Sequence, residues 1–429
     1  MVERLWVIRD GQILADLERD DERRVQLRVR AEIVSRADGT PEISLSLPVR
    51  AAPYDQPALL PFFDGLLPEG LVRQALATRF RLDSADVFGL LREIGRDCAG
   101  ALSLVPEGAD LDPARPDGVE WLDEAALGDC VANLATRPFA DAPDEGIRIS
   151  LAGAQNKMAV VIDEGRIGLP RGATPSTHIL KPASVERRSR REQRLKYPAL
   201  VANEAFCMIL ARHAGLRVAP VSVRRIDNDP ALLVERYDRI ISGGQVSRVH
   251  QEDFCQALGV LPSRKYEAGG GPALADLLAL LRRASVDVLS DQPELLDRIA
   301  FNYVIGNEDA HAKNFSLLHG TAGTRLAPAY DLLSTFVYPD LKKEMAVAIN
   351  GMYDSRALKP IHWKKAFEQL GVSERLYGQR FAALAERVEH AIPQARADLQ
   401  EWHLGNGTLD QLVALISRRA QALKELRGT

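Results

Sequence analysis

Apolar and polar residues alternate along the first fifty positions of the chain in the pattern that is typical of β-strands. Residues 5–15 are apolar on both sides of Asp10-Gly11, a dipeptide that favours a two-residue hairpin turn. Residues 25–29 and 43–47 also alternate with a period of two, so each predicts a further strand. The pattern therefore indicates a small β-rich unit at the start of the chain.

Helical periodicity then becomes more frequent. Residues 71–80 and 85–94 predict helices, and the Pro- and Asp-rich stretch at 109–117 predicts a loop or linker. Apolar residues recur at helical spacing through 295–304, and the last third of the chain continues this period, as in residues 412–416. The predicted class is α+β, with a mostly helical C-terminal part.

The chemistry that stands out follows the predicted helix at 295–304. Asp309 and Asn314 are five positions apart, which is the separation of the base and the metal-binding asparagine in the catalytic loop of protein kinases. Asp331 lies where a second magnesium ligand is expected. Because Mg²⁺ takes oxygen ligands, Asn314 and Asp331 predict a metal site, while Asp309 would accept the proton of an attacking hydroxyl or orient it. The spacing alone is also compatible with a capped loop end.

Two short strands are predicted beside this loop, at residues 315–318 and 325–329. A segment rich in turn-forming residues separates them. If the two strands pair as a hairpin, the residue before the first strand and the residue after the second come to the same end of it. We therefore expect Asn314 and Asp331 to face one metal ion.

Candidates for phosphate binding lie upstream, in the order found in kinases. Residues 148–161 place a turn of small residues between two apolar strands, where backbone N–H groups and Lys157 can approach phosphate oxygens, although an ordinary hairpin has the same pattern. Residues 176–182 predict a strand that carries Lys181, a candidate for the α- and β-phosphates. Glu204, at the start of an amphipathic helical run, is its candidate partner.

A hinge is predicted next. Residues 231–237 form a buried strand that runs into a polar segment, where backbone groups could bind adenine. The order of these elements favours a phosphotransferase.

Together these residues resemble the HipA-type serine/threonine kinase toxins of bacterial type II toxin–antitoxin (HipBA) systems. The resemblance spans nearly the whole chain and rests on the motifs at residues 150–157, 178–181, 203–204, 234–239, 251–256, 265–267, 309–316, 330–331 and 345–351. It implies a protein-kinase-like two-lobed core. The predicted bounds are 1–145 for an N-terminal β-rich and helical subdomain, 146–240 for the kinase N-lobe, and 241–429 for a helical C-lobe.

The resemblance also implies ATP and Mg²⁺ as cofactors and assigns roles to residues. Asp309 is implied to be the catalytic base, Asn314 and Asp331 the metal ligands, and Glu204 a supporting residue. Ser150 is implied to be autophosphorylated, which would switch the kinase off because a phosphate there would repel the phosphates of ATP. The implied ATP-binding residues are Ser150, Ala152, Gly153, Ala154, Gln155, Lys157, Lys181, Glu235, Tyr237 and His311. His311 has two interpretations, ordering the loop by hydrogen bonding or doing chemistry.

Partners follow from the same resemblance. It implies a small helix-turn-helix antitoxin similar to HipB, operator DNA joined through that complex, and a protein substrate of the translation apparatus such as an aminoacyl-tRNA synthetase. The basic segment at residues 187–196 is either a solvated loop or a contact for nucleic acid or an acidic partner. Asn307-Glu308 replace the His-Arg of eukaryotic-type kinases and Leu332-Leu333 replace Phe-Gly, so activation by a phosphorylated loop docked on that arginine is not expected.

Composition narrows the class further. A chain of 429 residues is long enough for two or three domains, and a formal net charge of -4 argues against nucleic-acid binding by the whole chain. Neither a membrane-spanning run nor a signal-peptide pattern is present, so we expect a cytoplasmic enzyme. The four cysteines lack the spacing of a metal site or a disulfide framework, and we expect them to be reduced and mostly buried.

Two other functions stay open on the sequence alone, and a third is disfavoured. A small-molecule kinase would share the same catalytic residues but enclose its acceptor in a pocket. A non-catalytic transcriptional corepressor would keep the fold and the partners without turnover. A hydrolytic metalloenzyme built from Asp309, His311 and Asp331 would be expected to add further His or Cys ligands.

Overall fold

The computed structural model describes residues 2–36, 39–109, 118–136, 157–183, 185–187, 193–195, 199–404 and 407–428. The chain divides into two compact units. Unit 1 comprises Met1–Lys196, Arg224–Ser263 and Leu318–Gly323, and unit 2 comprises Tyr197–Val223, Arg264–Leu317 and Thr324–Thr429. The domain bounds at residues 145 and 240 stay predictions.

The strands in chain order are β1 (Glu3–Arg9), β2 (Gln12–Arg19), β3 (Val25–Val29), β4 (Ser103–Pro106), β5 (Val119–Trp121), β6 (Met158–Asp163), β7 (Arg166–Pro170), β8 (His178–Pro182), β9 (Val185–Arg187), β10 (Gln193–Leu195), β11 (Val221–Ile226), β12 (Asp229–Glu235), β13 (Arg239–Ser242), β14 (Gln245–Arg248), β15 (His250–Asp253), β16 (Ser316–Gly320), β17 (Gly323–Leu326), β18 (Glu344–Ile349) and β19 (Met352–Asp354).

The helices are α1 (Ala31–Ser35), α2 (Gln56–Gly65), α3 (Gly70–Phe80), α4 (Val87–Ile94), α5 (Glu124–Thr136), α6 (Leu200–His213), α7 (Phe254–Leu258), α8 (Leu274–Ala284), α9 (Val288–Ile305), α10 (Pro360–Gln369), α11 (Glu374–Glu401) and α12 (Gly407–Lys424). The helices predicted at 71–80 and 85–94 are confirmed as α3 and α4, and residues 412–416 lie in α12 as predicted.

Unit 1 opens with an antiparallel sheet in the order β3-β2-β1-β4. The predicted hairpin is confirmed: Arg9 pairs with Gln12, and the turn residues Asp10 and Gly11 both have positive φ, 50° and 76°. This conformation matches the twist of the flanking strands, which is why Asp-Gly is favoured there. Alternate residues of the sheet are buried in a core with Phe62, Phe63 and Phe88 of α2 and α4.

The strand predicted at residues 43–47 is wrong. Leu47 N–H donates to Ser44 O at 3.1 Å and closes a turn. Leu45 N–H donates to the carboxylate of Glu252 at 2.9 Å, and the Ser44 hydroxyl donates to the other oxygen of that carboxylate. The Glu252 side chain therefore accepts the Leu45 N–H that would otherwise donate to a neighbouring strand. Ile43 and Leu47 are buried, as the alternating pattern predicted.

A second sheet carries the predicted phosphate-binding strand. Its order within the described residues is β11-β12-β8-β6-β7-β5. Strands β8 and β12 are the predicted strands at 176–182 and 231–237, and in their antiparallel register Lys181 pairs with Leu232 and His178 with Glu235. The sheet therefore fixes Lys181 and Glu235 at separate points along one strand pair.

A buried network of charges follows β12. Arg236 bonds Asp238 at 2.8 Å and the Ser176 hydroxyl at 2.7 Å, and Arg239 bonds Asp97 at 3.0 Å. The Ser176 hydroxyl in turn donates to Asp97 at 2.6 Å. Burial by itself raises the pKa of the Asp97 carboxyl, but Arg236, Arg248 and Arg239 together lower it below its ordinary value. The network joins residue 97 to the segment that follows β12.

Unit 2 is mostly helical. The long helix α11 packs against α6, α9 and α12. Aromatic rings pack between α9, α10 and α11. Trp363 of α10 is edge-on to Tyr303 of α9 at 5.7 Å and to Phe381 of α11 at 5.3 Å. The helix predicted through 295–304 is confirmed as α9, and it supports the loop that carries Asp309.

The amphipathic helix predicted to start at Glu204 needs correction. Helix α6 begins at Leu200, so Glu204 is its fifth residue. All residues from Leu200 to Ala211 are buried, so α6 is a core helix rather than an amphipathic one. The apolar residues just before Glu204 extend the helix backwards. Gly215 follows the helix with φ of 86°, a conformation that is common where helices end.

The remaining expectations of the fold concern the hairpin and the cysteines. The predicted hairpin is present as β16 and β17, with Ala327 N–H donating to Ser316 O at 2.9 Å. The cysteines are free thiols, as expected; Cys98, Cys207 and Cys255 are buried and Cys130 is half-buried. No helix among the described residues is both long and apolar enough to span a membrane.

We predict that Asp97→Asn destabilises unit 1 by about 3 kcal/mol, because it leaves two buried arginines with one carboxylate partner fewer. Hydrogen exchange of residues 229–239 across a urea titration would measure the change. The control is Asp163→Asn, which removes an ion pair to Arg166 whose side chains are more than half exposed, and should leave the midpoint unchanged. Equal urea midpoints for Asp97→Asn and Asp163→Asn would contradict the prediction.

A pH dependence is predicted from His250. Burial, with His319 and Arg9 adding to it, lowers the pKa of His250 to about 3, and its Nε2 lies 2.8 Å from Ile43 O. Between pH 6.5 and pH 3 the unfolded chain binds a proton here that the folded chain does not, so stability falls as the pH falls through that range. Relative to His250→Gln, the unmutated protein should lose about 2 kcal/mol more between pH 7 and pH 5, measured by urea unfolding. Identical losses in the two proteins would refute the assignment.

Candidate active site

The candidate catalytic loop starts where α9 ends. Gly306 caps the helix with φ of 72°, and a Cβ there would lie 2.8 Å from Cβ of Phe336 and 2.9 Å from Cδ2 of Leu415. The backbone N–H groups of Thr335 and Phe336 donate to Gly306 O at 2.9 and 3.0 Å. Glycine is therefore needed on both conformational and steric grounds, and the chain direction toward Asp309 is fixed.

Asn307 connects the helix, the loop and the segment of Asp331. Its amide nitrogen donates to Asn302 Oδ1 at 2.9 Å and to Asp331 O at 3.2 Å. Its amide oxygen accepts from Asp309 N–H at 3.3 Å. Sequence reasoning noted Asn307 only as a departure from eukaryotic-type kinases and missed this role.

Glu308 holds the loop from its buried side. Its carboxylate accepts from Arg419 at 3.0 Å and from the Ser355 hydroxyl at 2.7 Å, and its carbonyl accepts from Ala346 N–H at 2.8 Å. Burial raises the pKa of the Glu308 carboxyl, although Arg419 and Ser355 act in the opposite direction. The residue before Asp309 is thus a structural support, which the sequence did not indicate because Arg419 is 111 positions away.

Asp309 itself is exposed, in contrast to its neighbours. Its carbonyl accepts from His311 N–H at 2.8 Å and from Asn314 Nδ2 at 3.3 Å. Because the nitrogen of the Asn314 amide is directed at this carbonyl, the amide oxygen is the end that can serve a cation. The structure therefore holds Asp309 and Asn314 on one short loop, as predicted.

Asp331 approaches the same loop through its neighbours. The Tyr330 hydroxyl bonds Lys313 O at 2.7 Å and the Ser316 hydroxyl at 2.6 Å, so the residue before Asp331 contacts the residue before Asn314. Asp331 has φ of 54°, in the left-handed region that is unusual for a residue other than glycine, and such backbone strain is common at functional sites. Carboxylate and amide oxygens are the ligands that Mg²⁺ takes, so Asp331 and Asn314 fit a magnesium site.

His311 lies buried in this loop. Burial, with Lys265 and Lys313 adding to it, lowers the pKa of its imidazole to about 3. The ring is therefore neutral near pH 7, and its buried Nδ1 has no hydrogen-bond partner among the described residues. The two interpretations from the sequence, ordering of the loop by hydrogen bonding and a part in the chemistry, both stay predictions, as does the contact of His311 with ATP.

Tyr266 was missed as a functional residue. Its hydroxyl donates to Asp309 Oδ1 at 2.7 Å, and its ring stands edge-on to His311 at 5.2 Å between centroids. The sequence contained a signal only in the motif at 265–267, whose separation from Asp309 along the chain gave no reason to connect them. Within unit 2, the structure brings Tyr266, Asp309 and His311 together.

The candidate phosphate-binding lysines are in unit 1. Lys181 is buried on β8. Met158, the first residue of β6, pairs with Leu180, so Lys157 directly precedes one member of this pair and Lys181 directly follows the other. The other predicted contacts of this loop, Ser150, Ala152, Gly153, Ala154 and Gln155, lie outside the described residues, as does most of the basic segment at 187–196.

The candidate hinge residues lie at the end of β12 and just after it: Glu235 is the last residue of the strand, and Tyr237 follows it by two positions. Glu235 is exposed, and Tyr237 is half-buried with its hydroxyl bonded to Gln251. Both lie beside Arg236 and Asp238 of the buried charge network, so the backbone that would contact adenine is fixed on either side.

Glu204 is buried in α6 of unit 2. The preceding residue, Asn203, donates to Ser334 O at 2.8 Å and accepts from Ser334 N–H at 2.9 Å. This pair of bonds joins α6 to the segment that follows Asp331. Asn203 is a second polar residue whose role sequence reasoning did not identify.

Comparison with known proteins identifies the family of the chain. Residues 149–395 match the family model of the HipA-like C-terminal domain, and residues 5–105 match that of the HipA N-terminal domain. The putative kinase Y4mE of Sinorhizobium fredii is 40% identical over 393 residues, 90% of each chain. The serine/threonine-protein kinase toxin HipA of Shewanella oneidensis is 32% identical over 348 residues, 78% of this chain and 76% of that one.

A solved structure shares the fold. The complex of HipA, HipB and operator DNA from Shewanella oneidensis MR-1 contains a chain that superposes with a TM-score of 0.82 at 25% identity, covering 99% of each chain. The predicted α+β, protein-kinase-like fold is therefore confirmed. With family models matching both parts and two relatives above 30% identity, the chain belongs to the HipA family of serine/threonine protein kinase toxins.

Proposed function

We propose that this chain is an ATP- and Mg²⁺-dependent protein kinase that acts as the toxin of a toxin–antitoxin module. The observation that carries the proposal is the loop in which an exposed Asp309 and a half-exposed Asn314 are held by buried neighbours, with Asp331 tied to the same loop. ATP supplies the phosphoryl group and Mg²⁺ the countercharge when they are bound. The remaining steps belong to residues of the chain.

Asp309 is proposed to orient the acceptor hydroxyl and accept its proton. An exposed carboxylate on a rigid loop can receive a hydroxyl from a protein substrate, and positioning contributes most of the catalysis in phosphoryl transfer. Asn314 and Asp331 are proposed to hold the metal through an amide oxygen and a carboxylate. Asn307 fixes both the N–H of Asp309 and the carbonyl of Asp331, and so sets the metal site and the base together.

The nucleotide is proposed to bind through residues of unit 1. Lys157, just before β6, and Lys181 on β8 supply positive charge for its phosphates, together with the predicted loop at 150–155. Glu235 and Tyr237 are proposed to contact adenine. Glu204 is the proposed supporting carboxylate, as the family resemblance implies.

Regulation and partners are proposed from family membership. Ser150 is the proposed site of autophosphorylation, which would inactivate the kinase by placing charge beside the ATP phosphates. The superposed HipA chain was solved with HipB and operator DNA, so we propose a helix-turn-helix antitoxin and operator DNA as partners here. An aminoacyl-tRNA synthetase is the proposed substrate class.

Asp309→Asn should abolish phosphoryl transfer, because the amide keeps the shape of the side chain but cannot accept a proton. Phosphatase-treated protein incubated with ATP and Mg²⁺ would be followed by intact mass and peptide mapping. We expect a phosphate at Ser150 in the unmutated chain and none in the variant.

The controls separate the possible failures. Both proteins should bind ATP equally, since Asp309 is not among the proposed nucleotide contacts. Transfer by Asp309→Asn at the unmutated rate would remove Asp309 from the mechanism. Failure of the unmutated chain both to bind ATP and to gain phosphate would instead favour a non-catalytic corepressor.

Lys181→Met should weaken ATP binding at least about tenfold, because it removes a charge-assisted bond to phosphate while keeping the buried stem. Calorimetric titration with ATP and Mg²⁺ would measure the affinity. Arg225→Met, on the exposed face of β11 in the same unit, removes a positive charge away from the proposed site and should leave affinity unchanged. Equal affinities for the Lys181 variant and the unmutated chain would refute the role of Lys181.

A further inference from the structure

We propose that Tyr266 is a positioning residue that orients the Asp309 carboxylate for proton transfer. This inference rests on the proposed role of Asp309 as the base. Its central observation is the bond of 2.7 Å from the Tyr266 hydroxyl to Asp309 Oδ1, made within unit 2. Nothing in the spacing of the catalytic loop indicated that a residue 43 positions upstream would reach the base.

The carboxylate needs such a partner because it is exposed. The backbone of the loop is fixed by Asn307, Glu308 and Asn314, but those bonds involve the N–H and carbonyl groups and do not define the rotation of the Asp309 side chain. A hydroxyl donating to Oδ1 restricts the rotation of the Asp309 carboxylate. Hydrogen bonds to an ionised group are roughly twice as strong as neutral ones, which is enough to favour a single rotamer.

Tyr266 can do this because its own position is well defined. Its carbonyl accepts from the N–H groups of Gly269 and Gly271, both at 3.0 Å, so the residue begins a closed turn. A Cβ at Gly271 would lie 2.7 Å from Tyr266 O, so the turn needs glycine there. The next residue, Glu267, accepts from Ala348 N–H at 2.6 Å and attaches the turn to β18.

His311 fixes the ring from the other side. The two rings meet edge to face at 82°, a favourable arrangement for aromatic pairs. The rigid turn and the ring contact together direct the hydroxyl at Asp309, while 39% of the Tyr266 surface stays exposed where a substrate would arrive.

Tyr266→Phe tests the proposal because it removes one oxygen and keeps the ring. We expect kcat for phosphorylation of the phosphatase-treated chain to fall about tenfold, since the base would sample unproductive rotations. KM for ATP should not change, which separates a defect in the base from a defect in nucleotide binding.

The matched control is Tyr377→Phe. Tyr377 lies in α11, and its hydroxyl accepts a hydrogen bond from Gln292 Nε2 at 3.0 Å. The substitution therefore removes a hydrogen-bonded tyrosine hydroxyl of unit 2 that is not part of the catalytic loop. Its kcat and its KM for ATP should equal those of the unmutated protein. Thermal melting of all variants would show that each one folds.

Asp309→Asn, run beside these variants, separates the two levels of the argument. An inactive Asp309→Asn together with an unaltered Tyr266→Phe would overturn the role of Tyr266 and leave the proposed function standing. An active Asp309→Asn would overturn both. A rise in kcat on Tyr266→Phe would show that the hydroxyl obstructs the acceptor, and would also overturn the positioning role.

Discussion

The candidate catalytic loop depends on a buried ion pair between Glu308 and Arg419. Removing two charges from water is costly, and their attraction compensates only when the remaining hydrogen-bonding capacity is satisfied. Here the guanidinium also donates to Tyr303 O at 2.6 Å and to the Ser355 hydroxyl at 2.7 Å, and the Glu308 carbonyl and N–H are bonded as well. The pair therefore specifies one loop conformation, and the exposed Asp309 inherits its position from the buried residue before it.

Unit 1 uses the same device beside the candidate hinge. Arg236 and Asp238 are each buried on either side of the half-buried Tyr237, and Gly100 N–H donates to Asp238 at 2.7 Å. Asp97 and Gly100 come from the part of the chain that matches the HipA N-terminal domain, so that part contributes directly to the segment after β12. In both units, a functional candidate lies next to buried charges whose partners are distant in sequence.

This arrangement explains what the sequence could and could not predict. The Asp10-Gly11 hairpin and α9 were predicted because turn chemistry and helical periodicity act locally. The strand at 43–47 failed because Leu45 N–H donates to Glu252, more than 200 residues away, while Ser46 and Leu47 N–H donate to Ser44 in a local turn. The spacing of Asp309 and Asn314 identified the loop, but Tyr266 and Arg419 were missed because side-chain bonds between distant segments leave no pattern of spacing.

The state of His311 links the rigid support to the chemistry. A protonated imidazole beside Asp309 would attract the carboxylate and compete with an acceptor hydroxyl for it. Burial prevents this by lowering the pKa of His311 to about 3, so the ring contributes packing against Tyr266 without charge. The proposed base thereby keeps a neutral donor, the Tyr266 hydroxyl, on Oδ1. A neutral donor orients a carboxylate and lowers its basicity less than a cation does. The loop can therefore keep the proposed base Asp309 both oriented and able to accept a proton.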